Sequence, residues 1–111
     1  MGPPVSFSLE MSERDGLTLV ALTGELDLST SGRLADALDG VAGADRRIVL
    51  DLRGLQFMDS TGLAVILRYH QRAKDGRYDL VVVRGPASVD RLFQVTRTDE
   101  LLELLDVPPA A

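Results

Sequence analysis

The sequence predicts an α/β domain built on one mixed β-sheet, with an antiparallel strand pair at an edge and parallel strands after it. Three observations carry this expectation. Asp15-Gly16 separates two apolar segments, which is a hairpin signal. Two short continuous apolar runs, Ile48 to Leu52 and Asp79 to Val83, have the composition of strands buried on both faces. Segments of helical spacing lie between and after them, so the connections read as strand–helix–strand crossovers that bring parallel strands together.

Taken in order, Val5, Phe7, Leu9 and Met11 alternate with Ser6, Ser8 and Glu10. That period of two describes a half-buried strand at a sheet edge. Leu17 to Thr23 returns beside it and is more evenly apolar, as a central strand is. Ser29, Thr30 and Ser31 each offer a cap for a first helix, whose inner face repeats Leu34, Ala37, Leu38 and Val41. Gly43 is placed to stop it. The run Ile48 to Leu52 is broken at Gly54. A second helix spans about Ser60 to Lys74, with Leu63, Ile66, Leu67 and either Tyr69 or His70 on or near its inner face, and Asp75-Gly76 closes it. Asp79 to Val83 precedes Gly85-Pro86 and a third amphipathic helix, about Ala87 to Val95, with Val89, Leu92 and Phe93 inward. Leu101 to Leu105 suits a short strand by length and a helix by composition.

A length of 111 residues fits one domain with one core. Short flexible ends are expected at about 1–4 and 107–111. Apolar residues make up 45% and charged residues 26%, a soluble globular composition. A net charge of −5 disfavours direct binding to nucleic acid, which draws affinity from Lys and Arg against phosphates. There is no Cys, hence no disulfide framework or thiol nucleophile, and the single His70 is a poor basis for a metal site or a His-dependent triad. No apolar stretch is long enough to span a bilayer and no signal-peptide pattern is present, so the default compartment is the cytoplasm. The leader Met1 to Ser6 fits an acylation spacing only formally, because its prolines make a stiff extended segment.

The stretch Asp51 to Leu63 concentrates the polar chemistry. Asp59, Ser60, Thr61 and Gly62 stand together where an apolar strand passes into a helix. Asp59 or Ser60 can cap that helix, which leaves a hydroxyl at its positive end, where an attached phosphate is electrostatically favoured. Capping alone would also account for these residues. In a parallel sheet, function gathers beyond the carboxyl ends of the strands. Two loops qualify, Asp27 to Thr30 and Asp51 to Gly62, and they place Asp27, Asp59, Ser60 and Thr61 on one surface. Asp27 reads either as a turn residue or as one of a pair of functional carboxylates. Phe57 and Met58 either plug the end of the core or leave Met58 partly exposed as an adaptable protein contact. Ser60 has no plausible general base, and no phosphate-binding or nucleophile-elbow motif is present. A binding module fits better than an enzyme, and the chain calls for no cofactor.

Asp51-Leu52-Arg53-Gly54-Leu55-Gln56-Phe57-Met58-Asp59-Ser60-Thr61-Gly62-Leu63 resembles the signature of the STAS domain, in particular of the bacterial anti-sigma-factor antagonists. Gly24-Glu25-Leu26-Asp27 is similar to a second stretch of that family, and Val89-Asp90-Arg91-Leu92-Phe93 to its third helix. The resemblance covers nearly the whole chain. It implies a STAS-like mixed sheet with helices mainly on one face and a last strand near Leu102 to Leu105. It also implies partner switching. The unmodified protein binds an anti-sigma factor with serine kinase activity and frees a sigma factor. That kinase phosphorylates Ser60 (Thr61 being the lesser candidate), and a PP2C-type phosphatase restores the active form. Asp27, Met58, Asp59, Ser60, Thr61 and Gly62 would then form the partner-binding surface, with Gly62 allowing close approach. STAS domains also serve lipid-transport ATPase complexes and stress-signalling scaffolds, which stand as the alternatives. The sequence is silent on self-association.

Overall fold

The sheet begins at the Asp15-Gly16 turn. In the computed structural model, which describes residues 6–43, 46–76 and 78–109, both turn residues have positive φ, 51° and 82°. This is the left-handed geometry of a tight hairpin. The turn joins β1 (Ser8–Arg14) to β2 (Leu17–Leu26) in antiparallel register, with Ser8 opposite Thr23 and Arg14 opposite Leu17. After α1 (Ser31–Val41), β3 (Arg46–Met58) lies parallel to β2. After α2 (Ser60–Asp75), β4 (Tyr78–Val83) lies parallel to β3. Then α3 (Ala87–Val95) and one 3-10 turn lead to β5 (Leu104–Leu105), parallel to β4. The order across the sheet is β1-β2-β3-β4-β5, the predicted mixed architecture with an antiparallel edge. Of the ambiguous final segment Leu101 to Leu105, only Leu104–Leu105 is strand; Leu101 and Leu102 lie in the turn before it. Val5 and the leader before it, like the last two alanines, fall outside the described residues.

Two apolar clusters show how the layers are arranged. Helix residues such as Leu34, Leu38, Ile66, Tyr69, Val89 and Phe93 pack with Val20, Leu22, Ile48, Leu50, Leu80 and Val82. The second cluster, Val49, Val81 and Val83 with Leu17, Leu19 and Leu105, contains no helix residue. Among the described residues the three helices therefore cover one face of the sheet, and the other face carries none. On that free side Pro108 and Pro109 meet Ser12, Glu13, Arg14, Leu17 and Leu19 around a shallow cavity of about 360 Å³. Among the described residues no helix is long and apolar enough to cross a membrane.

Four expectations about local structure are corrected. Gly54 does not end β3, which continues to Met58 through two register shifts against β2. Each shift sets an extra β3 residue against β2, a bulge that bends the strand without stopping it. A side chain at Gly54 would press on the Leu22 carbonyl oxygen and the Thr23 methyl, both 2.7 Å from an added Cβ, so the bulge requires glycine for space. Strand β2 likewise runs past Gly24 to Leu26 and is deeply buried on one face only, with alternating residues partly covered. The supposed loop from Asp51 to Gly62 thus shrinks to Asp59 alone. Finally, none of Ser29, Thr30 or Ser31 caps α1 through its side chain. The Thr30 hydroxyl is committed instead to the Asp27 amide, from which it accepts at 2.9 Å, and to the Glu25 carbonyl, to which it donates at 2.8 Å.

Candidate functional site

The carboxyl ends of β2 and β3 bring the two key loops together. Leu26 pairs with Met58, and the Asp59 amide donates to the Leu26 carbonyl at 3.2 Å. Asp27 and Asp59 therefore follow adjacent strand ends, and Ser60 opens α2 beside them.

Asp59 is the cap of α2. One carboxylate oxygen, Oδ1, accepts from the Thr61 amide at 2.9 Å, from the Gly62 amide at 3.2 Å and from the Thr61 hydroxyl. These satisfy donors that a helix start leaves orphaned. Partial burial is the largest single influence on the Asp59 pKa and raises it. The bonds from Thr61 and Gly62 together outweigh both burial and the like charge of Asp27, so the net shift is downward. Ser60 is exposed, and its hydroxyl makes no hydrogen bond among the described residues. Thr61 is half-buried with its hydroxyl tied to Asp59. Of the two hydroxyls, one is structural and one is available.

Asp27 builds its own turn. Its Oδ1 accepts from the Ser29 hydroxyl at 2.7 Å and the Ser29 amide at 3.0 Å, and its carbonyl accepts from the Thr30 and Ser31 amides. The Ser29 hydroxyl is the chief reason its pKa lies below the ordinary carboxylate value. The turn-residue reading is what the geometry shows, and it still leaves the carboxylate at the surface beside Asp59.

Two site expectations change. Met58 is buried, at 5% exposure, and packs into the core beneath the helices; its neighbour Phe57 is the exposed one, at 46%. Strand alternation accounts for the difference, since adjacent side chains leave opposite faces. Gly62 is also buried, and its missing side chain has an internal use. An added Cβ would lie 2.7 Å from Leu26 Cγ, so glycine lets α2 seat on the end of β2. Leu28, in the Asp27 turn, is 78% exposed; its one signal in the sequence is a leucine inside a polar turn. His70 is half-buried ten positions along α2, about 15 Å from Ser60 at 1.5 Å per residue. Burial, then Lys74, hold its pKa down.

Residues 8–108 match the family of the STAS domain. An anti-sigma F factor antagonist of Paenibacillus polymyxa is 40% identical over 85 residues, which are 73% of this chain and 64% of that protein, a little under two thirds of its length. An anti-sigma-B factor antagonist of Listeria monocytogenes is 30% identical over 106 residues, covering 93% and 92% of the two chains. The crystal structure of an anti-sigma factor antagonist from Mycobacterium paratuberculosis superposes with a TM-score of 0.83 at 26% identity, covering 96% of this chain and 92% of the other. The chain belongs to the STAS domain family. Within it, its similarity runs to the anti-sigma-factor antagonists.

Proposed function

We propose that this protein is a partner-switching anti-sigma-factor antagonist acting in the cytoplasm. Unmodified, it binds an anti-sigma factor that is also a serine kinase, and the sigma factor is released. Phosphorylation at Ser60 ends that binding, and a PP2C-type phosphatase reverses it. The protein is then a binding module and a kinase substrate, and carries out no catalysis itself. The names of its relatives favour this role over a subunit of a lipid-transport ATPase or a stress-signalling scaffold.

The observation that carries the proposal is the division of labour at the start of α2. Asp59 and Thr61 close the cap between themselves, while Ser60 stands exposed with its hydroxyl unengaged. A phosphoserine adds about −1.5 to −2 charges at pH 7. Within the isolated protein the dipole at the helix start favours that charge by roughly 0.3–1 kcal/mol. Across an interface the same group is buried beside Asp59 and Asp27. An unpaired buried charge costs several kcal/mol, and about 1.4 kcal/mol is already tenfold in affinity. Modification therefore blocks docking without any rearrangement of the fold.

The test is mass spectrometry after incubation with an anti-sigma kinase from the same genome and ATP. The wild-type chain gains about 80 Da, one phosphoryl group, and Ser60→Ala gains nothing. The same gain in Ser60→Ala would refute the assignment.

A further inference from the structure

Phe57 and Leu28 stand exposed at the rim of the site, and the chain makes no use of them in its core. Met58 turns inward, so the alternating Phe57 side chain leaves the sheet on the helix-free side, beside its register partner Glu25. Leu28 crowns the turn that Asp27 builds one residue earlier. The two apolar groups thus flank the carboxylates, one over the top of the strands and one on the free face.

The charges around them say what can cover them. Glu25, Asp27 and Asp59 take part in none of the ion pairs among the described residues. Two arginines on adjoining segments are already engaged. Arg53 holds Asp51, and Arg33 donates to the Phe7 carbonyl at 3.0 Å while its guanidinium lies over the Phe7 ring. The rim is therefore apolar and acidic at once. Nucleic acid and anionic membranes would meet carboxylates of their own sign. A second copy docked about a two-fold axis would set this acidic patch against itself.

We infer that Phe57 and Leu28 are the apolar anchors of the partner interface, and that this interface extends over the rim of the sheet onto its helix-free side. The occupant is a different protein whose face carries apolar seats bordered by Lys or Arg. The inference rests on the proposed antagonist role; it adds Leu28, which lies outside the signature, and gives the contact expected of Met58 to its exposed neighbour Phe57. The anchors set how long the complex lasts, and the carboxylates set how fast it forms.

Association and dissociation rates of the full chain with the same anti-sigma factor, measured at two salt concentrations, test this. Phe57→Ala and Leu28→Ser each speed dissociation on the order of tenfold while leaving the salt dependence of association intact. Asp27→Asn slows association and flattens that dependence. Leu28 is the more exposed of the two, so its replacement leaves the core untouched, and circular dichroism checks that both variants fold. Dissociation within about twofold of wild type for either anchor variant, with Ser60→Asp still abolishing binding, overturns the inference and leaves the antagonist role standing. Undiminished binding by Ser60→Asp overturns both.

Discussion

Asp59 gathers three donors on one carboxylate oxygen, and this fixes how the site responds to acid. Its pKa is lower in the folded chain than in an unfolded one. The unfolded state therefore binds the proton first as pH falls. The stabilisation is complete above the ordinary carboxylate value of about 4 and is lost as pH drops through the depressed folded value. Asn caps helices about as well as Asp but does not titrate. Urea unfolding between pH 6 and pH 2 should accordingly show Asp59→Asn losing less stability on acidification than the wild type. A gap between the two that stays constant with pH would refute the assignment. Asp59→Ala, which removes the cap outright, should cost about 1 kcal/mol at neutral pH, read from the same urea curves. At Ser60 the relevant fact is the reverse, a side chain with no structural task. Replacing it should leave the unfolding free energy within about 0.5 kcal/mol of wild type.

At the scale of elements, two glycines inside strands decide where the site sits. Gly24 has φ +89°, and a Cβ there would overlap the Ser6 carbonyl oxygen, backbone against backbone. Gly24→Ala should therefore destabilise by at least about 2 kcal/mol, measured by thermal or urea unfolding, because neither the strained φ nor the clash can be relieved by a side-chain rotation. A neutral result would mean that the segment before β1 does not cross Gly24. These glycines also mark the limit of what the sequence reveals. The hairpin, the order of the elements and the span of α3 are legible from Asp15-Gly16, from apolar period and from flanking Gly and Pro. The continuation of β2 through Gly24 and of β3 through Gly54 is not, because a glycine in a strand pattern signals a break and a bulge alike. The choice is made by neighbouring backbone that only the folded chain brings close. The cap by Asp59 was one of two readings available from the sequence. The absence of a side-chain cap on α1 depended on Thr30 finding Glu25 and Asp27, a matter of loop geometry. Burial of Met58 and exposure of Phe57 follow from strand alternation, once β3 is known to extend that far.

For the whole molecule, the arrangement separates the core from the candidate site. The helices and their core lie on one face, and the candidate site residues gather at the carboxyl edge of the central strands. A charged group can be added at that edge without entering the core, so under the proposed switch the fold stays rigid and only its surface changes. With a net charge of −5, association with the proposed basic-faced partner should weaken as ionic strength rises, and a phosphoryl group at Ser60 would add further negative charge at that edge. The central claim is that one phosphoryl group at Ser60 turns off binding by blocking a preformed surface. It is tested most directly by titrating the same anti-sigma factor with unmodified and with Ser60-phosphorylated protein in parallel. The phosphorylated form should bind at least about a hundredfold more weakly, a penalty of roughly 2.7 kcal/mol. Equal affinities for the two forms would contradict the account.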